Sequence, residues 1–175
     1  MRSDRSDDGR LRPMTAQDLA QVLAWRNHPE IRRYMFTRHE ISFDEHRCWF
    51  ERVSQDPTSQ LLVFEQGKIE AGFVHFRGVS HGGVAEWGFY VAPGAPKGTG
   101  RKLGHSALKF GFDEAALHKV CGQALDFNEP SIGFHRMLGF REEGVLREQH
   151  FDGESYHSVI CYGLLQREWT SSRSD

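Results

Sequence analysis

The period of the hydrophobic positions changes along the chain, and each change marks an element. Leu19, Val22 and Leu23 fall on neighbouring turns of a helix, with Arg26 one turn on. Thr15-Ala-Gln-Asp18 supplies its capping box, with Asp in place of Glu, and His28-Pro29 ends it. A second helix is predicted over 31–35. A third runs over 42–53, with Phe43, His46, Trp49, Phe50 and Val53 at helical spacing. A strand over 11–14 precedes them. From Gln60 the pattern is that of strands: 60–65 and 69–76 form a hairpin about Gln66-Gly67-Lys68, and 84–91 is an aromatic strand. Residues 93–98, with two prolines and two glycines, exclude regular structure. A helix over 100–116 and a strand over 119–125 follow. Pro130 opens a short helix to Leu138, which Gly139 closes. Strands over 145–151 and 156–165 meet at Asp152-Gly153. The strand–helix–strand unit in the middle predicts a right-handed parallel crossover within a mixed α/β sheet.

A chain of 175 residues fits one domain, expected over 11–169 with a disordered lead at 1–10 and a frayed tail at 170–175. The net charge of −2 argues against a nucleic-acid surface, so any anion site must be local. The apolar run Leu61-Leu62-Val63-Phe64 is far short of the roughly 20 residues of a membrane helix. The polar start of the chain does not read as a secretory signal. Three widely spaced cysteines read as reduced thiols in a cytoplasm, and the ten histidines show no metal-ligand spacing, so no metal is expected.

The strongest local signal is Pro93-Gly-Ala-Pro-Lys97-Gly98-Thr99-Gly100-Arg101-Lys102, between an aromatic strand and a helix. Small residues let backbone N–H groups approach an anion, the helix start adds partial positive charge, and Lys97, Arg101 and Lys102 add a local field. About thirty residues on comes Asn128-Glu-Pro-Ser131, then His135, then Gly139-Phe140. The two motifs together resemble the GCN5-related N-acetyltransferase (GNAT) superfamily. Its acetyl-CoA loop, Arg/Gln-x-x-Gly-x-Gly/Ala, aligns on 95–100 with Ala95 in the first place. Its later motif matches at Asn128, Ser131, Gly139 and Phe140, while His135 stands where tyrosine is usual.

The resemblance implies a twisted, mostly antiparallel sheet of about seven strands flanked by helices, with a splayed parallel pair at the centre. Backbone of 87–91, including Phe89 and Val91, would then hold the pantetheine arm and thioester oxygen of acetyl-CoA, with Gly88 at a bulge. Lys97, Gly98, Thr99, Gly100 and Arg101 would hold its phosphates, and Asn128 and Ser131 would reach its arm. His135 would be the general acid for the leaving thiol. Glu86 is the expected acceptor of the amine proton, with His75 and His46 as rivals.

The segment Trp25-Arg26-Asn27-His28-Pro29, with Met35, His46 and 86–90, resembles one branch of the superfamily, the bacterial acetyltransferases of pseudaminic acid biosynthesis. It implies acetylation of the 4-amino group of UDP-4-amino-4,6-dideoxy-N-acetyl-β-L-altrosamine, on the route to flagellin modification. Arg26 and His46 would contact the nucleotide, and Met35 and Trp87 would pack on a ring. Arg32, Arg33 and Arg38 favour an anionic acceptor. The alternatives are an acetyltransferase of protein N-termini, of the ribosomal-protein type, or of another small amine, and a non-catalytic acyl-CoA sensor. A homodimer is compatible with the aromatic last strand.

Overall fold

The computed structural model describes residues 9–171. Its centre is a seven-stranded sheet in the order β1-β2-β3-β4-β5-β7-β6. The strands are β1 (Arg10–Pro13), β2 (Gln60–Gln66), β3 (Ile69–Arg77), β4 (Val84–Val91), β5 (Lys119–Leu125), β6 (Arg141–Phe151) and β7 (Tyr156–Leu165). All neighbouring pairs are antiparallel except β4 and β5, which are parallel. The helices are α1 (Leu19–Asn27), α2 (Pro29–Arg32), α3 (Phe43–Val53), α4 (Thr99–Lys109), α5 (Glu129–Met137) and α6 (Gln166–Ser171). This is the expected mixed fold.

Two apolar clusters hold helices to the two faces of the sheet. Val22 and Trp25 of α1 and Val53 of α3 pack with Leu61, Val63 and Phe73 on one face. Leu103, Ala107 and Leu108 of α4 and Ile132 of α5 pack with Val74, Phe76 and Trp87 on the other. Gly104 allows α4 and α5 to close up, because a Cβ there would lie 2.7 Å from Leu138 and 2.8 Å from Phe134.

Several boundaries move. Arg10, assigned to the lead, opens β1, and Thr170, assigned to the tail, lies in α6; residues 1–8 and 172–175 lie outside the described residues. The second helix is one turn at Pro29–Arg32 rather than 31–35, since Pro29 fits the first helical position. The helix expected to reach 116 stops at Lys109 and ends in a single π turn, Phe110–Glu114. β6 starts four residues early because Arg141, Glu142 and Glu143 lie on an exposed edge strand, where no apolar alternation is needed.

Candidate active site

The parallel ladder between β4 and β5 has only three registered pairs, Val84↔Lys119, Ala85↔Val120 and Glu86↔Cys121. Beyond Glu86 the strands part, leaving 87–91 without a partner on that edge. On its other edge β4 stays in register with β3 through Gly88↔His75 to Val91↔Gly72, with no shift. Gly88 is therefore not at a bulge, as was expected; the separation from β5 alone opens the strand. A cleft of about 1210 Å³ starts here and runs between α4 and α5 on one side and α1 and α3 on the other.

On the loop side, Gly94 and Gly98 adopt φ of 76° and 93°, conformations that favour glycine, and Gly98 caps α4. A Cβ at Gly98 would meet nothing within 4 Å, and one at Gly100 only ordinary contacts, so the space over the helix start is open to a ligand. The first amides of a helix have no intrahelical acceptor. Lys97 and Arg101 are exposed beside them. Thr99 departs from expectation: it is buried, its hydroxyl donates to Gln66 Oε1 at 3.3 Å and its N–H to Pro96 O at 3.1 Å. Its polar groups are committed within the protein. Asn128 caps α5 by accepting from the Ser131 N–H at 3.1 Å, and both line the cleft.

His135 also departs from expectation. It is fully buried. Its Nδ1 lies 2.8 Å from Ser131 O, so it carries a proton and donates, and its Nε2 accepts from the Trp87 indole N–H at 3.1 Å. Burial holds its pKa down at about 4, against a smaller upward push from the Ser131 bond. A neutral ring with both nitrogens bonded has no proton to give a leaving thiolate. Trp87 is equally committed. It is 4% exposed, stacked on Phe140 at 5.1 Å and on Phe134 at 6.1 Å, and it does not offer a face to a ring in the cleft. Gly122 completes the packing, since a Cβ there would fall 2.3 Å from His135 Nε2 and 2.7 Å from Trp87 Nε1. Sequence reasoning missed Gly122; its one available signal was a glycine inside a strand, which marks a close approach.

The other half of the cleft is built by the end of α1. Arg26 Nη2 donates to Thr37 O at 2.9 Å, and Asn27 bridges the N–H and C=O of Ile41. These bonds fold the connection back so that α3 presents His46 to the cleft. Arg26 Nη1 and His46 Nε2 are buried with no hydrogen-bond partner. Burial lowers the Arg26 pKa; burial, then Arg26 itself, lowers that of His46. His46 stacks on Trp49 at 5.1 Å. Tyr34 on Phe127, Phe36 on His150, and an Arg38–Asp152 ion pair at 3.0 Å lay the following segment, with Met35, across toward the β6–β7 hairpin.

Glu86 stands on the cleft side where the ladder ends, exposed and 3.3 Å from Arg77. His75, opposite Gly88, is kept neutral, its pKa lowered to about 4 by burial first and then by Arg77, against Asp56. All three cysteines are free thiols. Among the described residues no group of three or more His, Cys, Asp or Glu side chains is placed to hold a metal, and no helix is long and apolar enough to cross a membrane.

A splayed parallel pair beside a glycine-capped helix start is the acyl-donor architecture of an acetyltransferase. The comparisons agree. Residues 10–141 match the family model described as Acetyltransferase (GNAT) domain, and the chain belongs to that family. It is an acyltransferase that uses acetyl-CoA. It is 37% identical over 145 residues to the prophage-derived N-acetyltransferase YokL of Bacillus subtilis, covering 80% of this chain and 81% of the relative. It is 32% identical over 128 residues to acetyltransferase PseH of Campylobacter jejuni, covering 73% and 79%. The structure of spermidine N-acetyltransferase from Vibrio cholerae in complex with CoA and spermine superposes with a TM-score of 0.85 at 28% identity, covering 93% of this chain and 98% of that one.

Proposed function

We propose that the enzyme transfers acetyl from acetyl-CoA to the 4-amino group of a UDP-4-amino sugar of the pseudaminic acid route, whose product modifies flagellin. The observation that carries this reading is the pair of unpartnered polar atoms, Arg26 Nη1 and His46 Nε2, buried in the acceptor half of the cleft. An unpaired buried polar atom costs about 1–3 kcal/mol unless a ligand satisfies it. A nucleotide sugar offers phosphate oxygens that accept from Arg26 Nη1 and hydroxyls that can pair with His46 Nε2 in either tautomer. The likeness to PseH supports the same branch.

Within this reading, the backbone of Phe89 and Val91 on the free edge of β4 would hold the donor's arm and polarise its thioester. Lys97, Arg101 and the amides at Gly98 and Gly100 would take its phosphates, with Asn128 and Ser131 along the arm. Met35 would pack against the acceptor. Glu86 would accept the amine proton, directly or through water. Two copies would associate as a homodimer, and the free thiols support a cytoplasmic setting.

A second reading, a cationic polyamine as acceptor, has four glutamates of the cleft in its favour: Glu30, Glu45, Glu86 and Glu143. Three of them are already engaged, Glu45 by His39, Glu86 by Arg77 and Glu143 by Lys119, which favours the anionic acceptor. The test is thiol release from acetyl-CoA with the UDP-4-amino sugar, spermidine or an N-terminal peptide. Sugar-dependent turnover is the expected result. Turnover with spermidine or peptide alone would reassign the acceptor. Coenzyme binding with no turnover would leave a sensor.

A further inference from the structure

The Trp87–His135 bond sits at a defined place in the topology. The β4–β5 ladder ends at Glu86↔Cys121, so the next residue on each strand, Trp87 and Gly122, is the first beyond the point where they part. His135 reaches from α5 over the bare Cα of Gly122 to the indole of Trp87. The bond thus ties α5 to β4 across β5 at the base of the opening. Its other nitrogen is anchored on the α5 backbone at Ser131 O, and aromatic rings surround it: Phe89 at 5.6 Å, Phe140 at 5.0 Å and Tyr162 stacked at 4.7 Å.

We infer that His135 is a positioning residue, a clamp with both ring nitrogens bonded within the protein, which acts through Trp87 to fix the free edge of β4 and does not itself protonate the leaving thiolate. Its ring nitrogens meet protein groups: the Trp87 N–H at Nε2 and, at Nδ1, Ser131 O at 2.8 Å with the Ser131 hydroxyl at 3.4 Å. The freed backbone of β4 starts at Trp87 itself and runs to Val91. Rotation of the indole would therefore shift the N–H groups that meet the thioester. Such donors are effective only when they lie about 2.7–3.1 Å from the position of the developing oxyanion, so a shift of a few tenths of an ångström matters.

The test pairs kinetics with spectroscopy. His135→Phe removes the acceptor and leaves the buried Trp87 N–H unpaired, whereas Trp87→Phe/His135→Phe removes both partners, a change that is often nearly neutral. We expect His135→Phe to lower kcat about tenfold without changing KM for acetyl-CoA, and the double variant to recover to within about threefold of the parent. A double variant as slow as His135→Phe would overturn the proposal, because a lost acid is not restored by changing its neighbour. Kinetics use whichever of the UDP-4-amino sugar, spermidine or N-terminal peptide the parent turns over. Nitrogen-15 NMR of the unsubstituted protein needs neither an acceptor nor a stable variant. It should show His135 as the Nδ1-protonated tautomer, unchanged from pH 5 to 9. An imidazole that titrates in that range, in step with kcat, would refute the clamp whatever the acceptor proves to be.

Discussion

Two buried histidines stand on the two sides of one cleft, His46 lining it and His135 behind its wall, and their surroundings are opposite. His135, on the α4–α5 side, has both ring nitrogens bonded within the protein and aromatic rings on several sides. His46, on the α1–α3 side, is nearly as buried, but its Nε2 has no partner and neither does the neighbouring Arg26 Nη1. The first arrangement is complete without a ligand. The second leaves two buried polar atoms without a partner, the feature on which the proposed acceptor site rests. Burial alone does not distinguish the two imidazoles; the partners of their own ring nitrogens do.

The completed half should respond to steric insult and to acid. Gly122→Ala has the largest expected effect, since its Cβ would displace the Trp87–His135 bond. Overpacking plus a broken buried bond should cost roughly 3–5 kcal/mol, read as a lowered midpoint in urea unfolding. A variant as stable as the parent would mean that the clamp yields easily. Acid comes next. The unfolded chain protonates residue 135 near its ordinary value of 6.5, while the folded state keeps it neutral to about 4. Between those values the unfolded state binds the extra proton, so stability is full above about pH 6.5 and falls as pH drops toward 4. The loss from this one group is on the order of 3 kcal/mol. His75 adds to it in the same direction. Urea unfolding from pH 4.5 to 7.5 should therefore give a shallower acid slope in His135→Phe than in the parent.

Much of this half was legible in the sequence, and its key contact was not. The proline- and glycine-rich loop announced the start of α4, and Gly139 the end of α5, because each has a local backbone requirement that composition reveals; φ at Gly139 is 86°. The position of His135 followed from motif spacing. Its environment did not, because that depends on Trp87, 48 residues away, and on a missing Cβ at Gly122. Spacing fixes which helix face a residue occupies, but not whether a neighbour across the sheet has already taken its nitrogens. The bounds of α4 and β6 failed for related reasons. A π turn lets helical spacing run past the end of α4, and an exposed edge strand carries no burial pattern.

The open half should respond to loss of charge in affinity rather than in stability. Arg26→Ala removes an unpaired donor and one bond to Thr37 O. The expected outcome is at least about a tenfold rise in KM for a UDP-amino sugar, or about 1.4 kcal/mol, with KM for acetyl-CoA unchanged. Equal rises for both substrates would assign Arg26 to shaping the whole cleft.

The smallest effect is the most discriminating, because stability and affinity should move in opposite directions. His46→Phe keeps the stack on Trp49 and deletes the orphaned Nε2. Removing an unsatisfied buried polar atom should raise the unfolding free energy of the ligand-free protein by about 1 kcal/mol. The same change should weaken acceptor binding severalfold, because the ligand loses the group that it satisfies. In His135→Phe stability should fall without a change in affinity for acetyl-CoA, since there the nitrogen lost was already in use within the protein. Lower stability in His46→Phe would mean that its Nε2 is satisfied in solution without a ligand, and the contrast between the two histidines would lose its basis.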